Sequence, residues 1–349
     1  MKRKEWLLLI VALIVVTGAV FGLITYRGQQ DAVKQSEQRA EGSQPQTTPA
    51  GPYVHLWITR DFGAETLQQQ TVPLQNEDTV MDVLKRNGKN VETAYGGGFV
   101  TAINGLASEY KAGDSNSRQI DWFYSVNGVS ADVGAAEYPL KAGDVIWWDY
   151  HDWSYAVSTP AQIGAFPQLF TAAPADSGSD LVIMAAPGYE DQANRLALAL
   201  SKQIKTSPTV VPWDEQKLQE AHGYLLIGDK SMLASSAFLQ SLWKEKATTG
   251  LFAELNQDGI HLYDAHGKQT RSFTEDDAGL LLATVHPEHR LPIVIVAGNG
   301  TKGVTLGIER LLSQEDDPTA LPLQGYFGVL LQADKTVRLP DRSAGGEQQ

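Results

Sequence analysis

The sequence predicts a small α+β domain, one helix on a mixed sheet, followed by a three-layer α/β domain, both behind an N-terminal transmembrane helix. Three observations carry that expectation. An uncharged run from Trp6 to Tyr26 follows Lys2, Arg3 and Lys4. Between Tyr53 and Trp153 the chain reads strand, strand, helix and then several strands, around the densest aromatic patch it has. Beyond Asp180, buried apolar strands alternate with segments of helical spacing.

A chain of 349 residues can hold two or three domains. Its 42% hydrophobic and 20% charged residues are ordinary for folded protein. The net charge of −13 argues against nucleic acid as a partner and against general adhesion to anionic lipid. There is no cysteine, which excludes disulfides, a thiol nucleophile, thiolate metal ligands and a lipoprotein anchor. An oxidising compartment stays open.

The apolar run from Trp6 to Tyr26 is about 20 residues long, enough to cross the hydrocarbon core as a helix. Trp6 and Tyr26 sit where interfacial aromatics belong, and the basic flank predicts the N-terminus inside. Residues 1–27 are thus expected to be a cytoplasmic end and anchor, making a single-pass protein of the cell membrane with its bulk extracytoplasmic. The alternative is a cleaved signal peptide, which the length of the run and the poor cleavage site at Thr17-Gly18-Ala19 disfavour. Residues 28–52, rich in Gln, Ser, Thr, Glu, Pro and Gly, read as a disordered tether.

Residues 53–153 form the first expected domain. Val54 to Thr59 alternates as a strand, and Gln69 to Leu74 is its expected partner. Asp78-Thr79 caps a helix with Val80, Val83 and Leu84 on one face, ended by Asn87-Gly88. Gly96-Gly97-Gly98 is a loop, Phe99 to Ile103 a short strand and Asn104-Gly105 a turn. Asp121 to Val126 then alternates polar and large apolar residues, and Asn127-Gly128 turns the chain because both residues tolerate positive φ. A second turn at Lys141 to Asp144 leads into the aromatic run Val145 to Tyr150. This order suggests one helix on a mixed sheet, a β-grasp-like arrangement. Five of the eight tryptophans belong to this region: Trp57, Trp122, Trp147, Trp148 and Trp153. Adjacent Trp147 and Trp148 must point to opposite faces of their strand, so one of them lies outside the core or under another segment.

The stretches TVMDVLKRN, FVTAINGL and WFYSVNGVSADVGAAEYPLKAGDVIWWDY resemble the C-terminal domain of transcobalamin and intrinsic factor, and are closer still to the bacterial surface domains of that family. Val80, Leu84, Ile103, Gly105, Trp122, Tyr124, Asn127, Gly128, Tyr138, Leu140, Gly143, Asp144, Ile146, Trp148 and Tyr150 occupy the positions of the family pattern. The resemblance covers under a third of the chain. It implies a β-grasp-like fold and a corrinoid (cobalamin) or similar small molecule as ligand, handed on to a membrane transporter. It also favours Trp148 as the inward tryptophan of the pair, with Trp147 outward beside Asp149 and His151. The candidate ligand-binding residues are Trp122, Tyr124, Asn127, Tyr138, Trp147, Trp148 and Trp153. Trp122, Tyr124 and Trp148 could equally be core. Gly143-Asp144 reads as a turn, and Asp149, His151 and Asp152 read as solvated strand-end residues before they read as metal ligands.

Residues 154–179, rich in Pro, Ala and Thr, read as a linker, residues 180–340 as the α/β domain and residues 341–349 as a disordered tail. Leu181 to Ala185 is a strand buried on both faces, and Tyr189 to Ile204 carries helical spacing. Thr209 to Val211 and Tyr224 to Ile227 are strands, while Asp214 to Ala221 and Met232 to Trp243 are expected helices. A hairpin about Asp258-Gly259, a strand from Ile293 to Ala297, a helix from Val304 to Leu312 and a strand from Phe327 to Leu331 complete it, in an expected mainly parallel sheet.

Gly298-Asn299-Gly300-Thr301-Lys302-Gly303 fits G-x-G-x-x-G after a strand and before a helix, but it sits in the last βα unit, where a tight structural turn is the better reading than a dinucleotide site. There is no G-x-S-x-G elbow and no H-E-x-x-H. His286 and His289 read as loop residues, and Asp276-Asp277 as a helix cap. The expectation is a non-enzymatic, membrane-anchored, extracytoplasmic binding protein with no required cofactor and no bound metal. The alternatives are a cell-surface protein–protein interaction module and, behind that, a cell-envelope enzyme using the α/β domain.

Overall fold

In the computed structural model, residues 51–171, 180–204, 207–313 and 321–342 are described. The expected anchor and all but the last two residues of the expected tether fall outside them, as do residues 172–179 and the last seven of the expected tail. No described helix is long and apolar enough to cross a membrane. The described chain is mixed α and β, with several sheets and few helices.

The first sheet grows from the alternating segments. β1 (Tyr53–Arg60) and β2 (Glu65–Pro73) pair antiparallel. The helix α1 (Val80–Asn87) follows, opened by a capping box in which Thr79 and Asp82 satisfy each other's amides. Three short strands, β3 (Glu92–Ala94), β4 (Phe99–Ile103) and β5 (Leu106–Ala107), form a separate small sheet. β6 (Ile120–Val126) and the two-residue β7 (Val129–Ser130) make the hairpin about Asn127-Gly128, where both turn residues have positive φ. β8 (Val145–Asp152) lies between β1 and β6, parallel to the first and antiparallel to the second. The five-stranded order is β2-β1-β8-β6-β7. α1 lies on one face of this sheet, where Val80, Val83 and Leu84 share a core with Leu56, Ile58, Ile146 and Trp148.

The second sheet contains β9 (Leu181–Ala185), β10 (Thr209–Pro212) and β11 (Gly223–Asp229), with α2 (Glu190–Gln203) joining the first two. The expected helix over Met232 to Trp243 is broken into α3 (Lys230–Leu233) and α4 (Ala237–Lys244), each with its own side-chain N-cap, Asp229 and Ser236. A four-residue helix, α5 (Lys246–Thr249), closes that stretch. The expected helix at Asp214 to Ala221 is one 3-10 turn at Lys217–Gln219. The hairpin at Asp258-Gly259 extends into a three-stranded meander of β12 (Ala253–Asn256), β13 (Gly259–Tyr263) and β14 (Gln269–Phe273). β15 (Gly279–Val285), β16 (Pro292–Gly298), α6 (Thr301–Leu312), β17 (Gly328–Gln332) and β18 (Lys335–Leu339) complete the chain. The order is β10-β9-β11-β16-β15-β17-β18. The first four strands are parallel, but the pairings β16–β15, β15–β17 and β17–β18 are antiparallel, so the sheet is mixed rather than mainly parallel. Asp276 precedes β15 and caps no helix.

The two sheets share a core. Trp57, Val145 and Trp147, on the face of the first sheet away from α1, pack in one cluster with Phe252 and Leu262 of the meander region and with Met184, Leu226 and Leu330 of the large sheet. The opposite face of the large sheet is covered by α2, α6 and the 3-10 turns around residues 163–171. The expected linker is therefore structural over its described part: Ile163, Phe166 and Leu169 are buried, and Gln162 donates its amide to the hairpin carbonyl of Gly128. The described residues form a single compact unit. Arg338 fastens it, donating to the carbonyls of Gly63 and Gly325 while its guanidinium lies 4.0 Å over Tyr326.

Candidate functional site

Trp147 and Trp148 point to opposite faces, as strand geometry requires, yet both are buried. Trp147 does not face solvent: Phe327 meets it edge-on at 5.2 Å and Trp57 at 5.5 Å, and its indole N–H donates to Thr59 Oγ1 at 2.7 Å. The covering segment comes from nearly two hundred residues further along the chain, so β8 alone does not reveal it. Other candidate residues also have structural duties. Asn127 donates to Asp144 Oδ1 and accepts from the Val145 amide, both at 2.8 Å, locking the hairpin onto β8. Tyr138 packs at the border of the core beneath α1. Trp153 donates to Asp121 Oδ2 at 3.1 Å and stacks edge-on against Tyr110.

Trp122, Tyr124 and Trp148 come together in a cleft of about 300 Å³. Its walls are the start of β4 at Gly98 to Val100, the loop after β7 at Ser130 to Ala135, and the described part of the connection at Ala156 to Thr159. Phe123 and His151 form the side that faces the second sheet. The loop walls give no periodic signal in sequence. Their common feature is exposed apolar surface: Phe99 is 43% and Val157 is 56% exposed, and both line the cleft. Tyr95, 89% exposed, stands edge-on to Phe99 at 6.4 Å. Exposed Val133 lies in the loop wall, where its carbonyl accepts the Tyr124 hydroxyl.

The cleft also follows an open sheet edge. Asn127 gives its amide to Val145, and Trp153 gives its amide to Gln119, so odd-numbered residues of β6 turn their backbone toward β8. Even-numbered residues turn outward. Ile120 accepts from Glu109, and Val126 pairs with Val129. Between them the N–H and C=O of Trp122 and the N–H of Tyr124 have no backbone partner among the described residues. Trp148 Nε1 is likewise buried without a partner.

Beneath the cleft runs a polar chain. Thr59 Oγ1 donates to Asp149 Oδ2 at 2.5 Å, and the amides of Phe62 and Gly63 donate to the same carboxylate at 2.9 and 2.8 Å. His151 Nδ1 meets Asp149 Oδ1 at 2.7 Å. The imidazole is sandwiched between Phe62 at 4.4 Å and Phe123 at 4.6 Å. Asp149 and His151 are therefore not solvated strand-end residues; Asp152 is, and accepts from the Ser154 amide. Burial pushes the Asp121 carboxyl up, partly offset by the Trp153 hydrogen bond. Burial also raises the Tyr124 hydroxyl, with Asp132 and Glu137 adding to it through their charge.

The other motifs are structural. A Cβ at Gly303 would lie 2.1 Å from Ala278 O and one at Gly298 would lie 2.6 Å from the Val304 amide, so close packing explains these glycines. The Asp276 carboxylate sits against Gly300, placing negative charge where a phosphate would need to enter. His286 is buried, donates its Nε2–H to Leu218 O at 2.8 Å, and has its pKa lowered by that burial. It stacks on His289. Among the described residues no group of three or more His, Cys, Asp or Glu is placed to hold a metal ion.

Residues 77–152 match a family described as a domain of unknown function (DUF4430). This match contains α1, the hairpin and β8, and with them most of the cleft. No curated protein matches the chain. A solved structure of a proposed metal-binding protein from Ruminococcus gnavus aligns with 13% identity and a TM-score of 0.22, over 29% of this chain and 97% of that one. A likeness at that level transfers nothing to the site. The corrinoid implied by the transcobalamin resemblance is supported by neither comparison.

Proposed function

We propose that the cleft along the open edge of β6 is a ligand-binding site, and that the protein is a non-enzymatic, extracytoplasmic binding protein tethered to the membrane by its N-terminal segment. The observation that supports it is the gathering of exposed apolar residues at one place. Of the six large exposed hydrophobics among the described residues, Phe99 and Val157 line the cleft while Tyr95 and Val133 adjoin it. Scattered apolar surface needs no explanation, whereas a rimmed patch around a concavity marks a binding site. At about 300 Å³ the cleft suits one or two fused rings or a short chain segment, and a corrinoid outgrows it. The test is an NMR titration of the full chain with naphthalene, following the indole N–H signals of Trp122 and Trp148. Both signals should shift, and Phe99→Ala should weaken binding by about tenfold, as expected for one lost aromatic contact of about 1.4 kcal/mol. Unmoved Trp122 and Trp148 signals at saturating naphthalene would remove the reading.

A second reading is favoured by one observation, the unpaired Trp122 N–H and C=O and Tyr124 N–H. An extended segment of another protein could add to this edge as a strand, with main-chain bonds supplying affinity and the aromatic walls specificity. The protein would then be a surface interaction module. Edge addition would protect the Trp122 and Tyr124 amides from hydrogen exchange, which a small ring ligand would not do for both. The extracytoplasmic placement has its own check: protease added to intact cells should remove the folded unit, and full protection would refute it.

A further inference from the structure

We infer that His151 is the polar reader of the cleft and that the ligand it selects carries a hydrogen-bond donor, an amine or hydroxyl, on a flat apolar body rather than a carboxylate. This rests on the reading of the cleft as a ligand site. The tautomer follows from the neighbours. Both Asp149 oxygens already serve as acceptors, from two backbone amides and from Thr59, so the proton in the 2.7 Å contact is placed on His151 Nδ1. The tautomer with its proton on Nδ1 presents Nε2 as a lone pair. That nitrogen has no hydrogen-bond partner among the described residues, although His151 is only 2% exposed and lines the cleft. Phe62 and Phe123 clamp the ring face to face, so the lone pair keeps one direction. An acceptor fixed at the wall of a cleft lined by aromatic and small side chains holds only water in the free protein, and a ligand that displaces that water must donate to it or lose the bond.

The charges nearby favour the same class. The cleft lining includes no Lys or Arg to receive an acid. The carboxylates closest to the tyrosine wall are Asp132 and Glu137, whose charge acts on Tyr124, while Asp121 stands across the strand pair from His151. An anionic ligand would meet repulsion, and a cationic one would meet attraction and the π-faces of Trp122, Phe123 and Tyr124.

Calorimetric titration of the full chain with 2-naphthylmethylamine, 2-naphthylmethanol, 2-naphthoate and naphthalene separates the possibilities. The amine and the alcohol should bind at least about tenfold more tightly than naphthalene, and the acid no more tightly than naphthalene. His151→Phe, which keeps the stacked shape, should abolish the preference, so that the amine and the alcohol bind this variant no more tightly than naphthalene does. The wild-type ranking tests the inference without any variant, so a misfolded His151→Phe would not shield it. If none of the four probes binds, the cleft reading fails. If all four bind equally, or the acid binds best, the cleft reading survives and the role of His151 is overturned.

Discussion

Trp147 shows how a residue's neighbours in space decide what its position in a strand means. Period-2 geometry sends Trp147 and Trp148 to opposite faces, and that much is legible in the sequence. What covers each face is not, because Phe327 and Gly164 approach Trp147 from distant parts of the chain. Both tryptophans should therefore be expensive to truncate: Trp147→Ala and Trp148→Ala should each cost about 3–5 kcal/mol in denaturant unfolding. Trp147→Phe keeps an aromatic ring in the core but loses the N–H that supports Thr59 and leaves a small cavity, so a smaller cost of about 2 kcal/mol is expected from it. A Trp147→Ala cost near zero would mean that the shared core does not form. The same blindness hid His151. Two residues from Asp149 on one strand, it reads as a solvated strand end, and only the fold brings Phe62 and Phe123 to its two faces.

At the scale of elements, the segments with clear local chemistry were legible and those defined by burial alone were not. Thr79 and Asp82 announce α1, and Asn127-Gly128 announces the β6–β7 turn, because capping and positive φ are local requirements. β15, Gly-Leu-Leu-Leu-Ala-Thr-Val, is buried along its whole length, and a continuous apolar run of that kind does not distinguish strand from helix. The loop walls of the cleft have no periodicity at all. α1 carries a pH prediction. Asp78 precedes the helix and receives two hydrogen bonds from Arg86 in its last turn, at 2.7 and 2.5 Å, together with the Gln75 amide. The Arg86 guanidinium holds the Asp78 carboxyl below its ordinary 3.8. A carboxyl whose folded pKa is depressed stabilises the fold above its unfolded pKa, and that contribution is lost as pH falls through the folded value. Asp78→Asn should thus lower the melting temperature at neutral pH, and the gap to the unaltered protein should close as pH drops below about 4. A gap that stays constant through that range would show that the pair contributes only through shape.

At the scale of the whole molecule, a composition change was a poor guide to a boundary. The stretch rich in Pro, Ala and Thr after Trp153 looks like a linker, yet its described part contributes Ile163, Phe166 and Leu169 to the core of the large sheet. It also supplies Ala156 to Thr159 to the wall of the cleft. Cutting the chain after Trp153 would therefore expose Trp57, Phe62, Val145 and Trp147 together, all now less than 6% accessible. It would also take away one wall of the site. Burial of apolar surface is the main favourable term in folding, so a fragment of residues 53–153 should lose much of its stability along with its shared core. The expected result is a fragment that binds a hydrophobic dye and unfolds without a sharp transition, while residues 51–342 melt cooperatively. Binding of naphthalene should be lost in the fragment as well, because Val157 and Thr159 are missing. A fragment that melts sharply and keeps the cleft's affinity would show that the first sheet is a self-sufficient domain and that the site belongs to it alone.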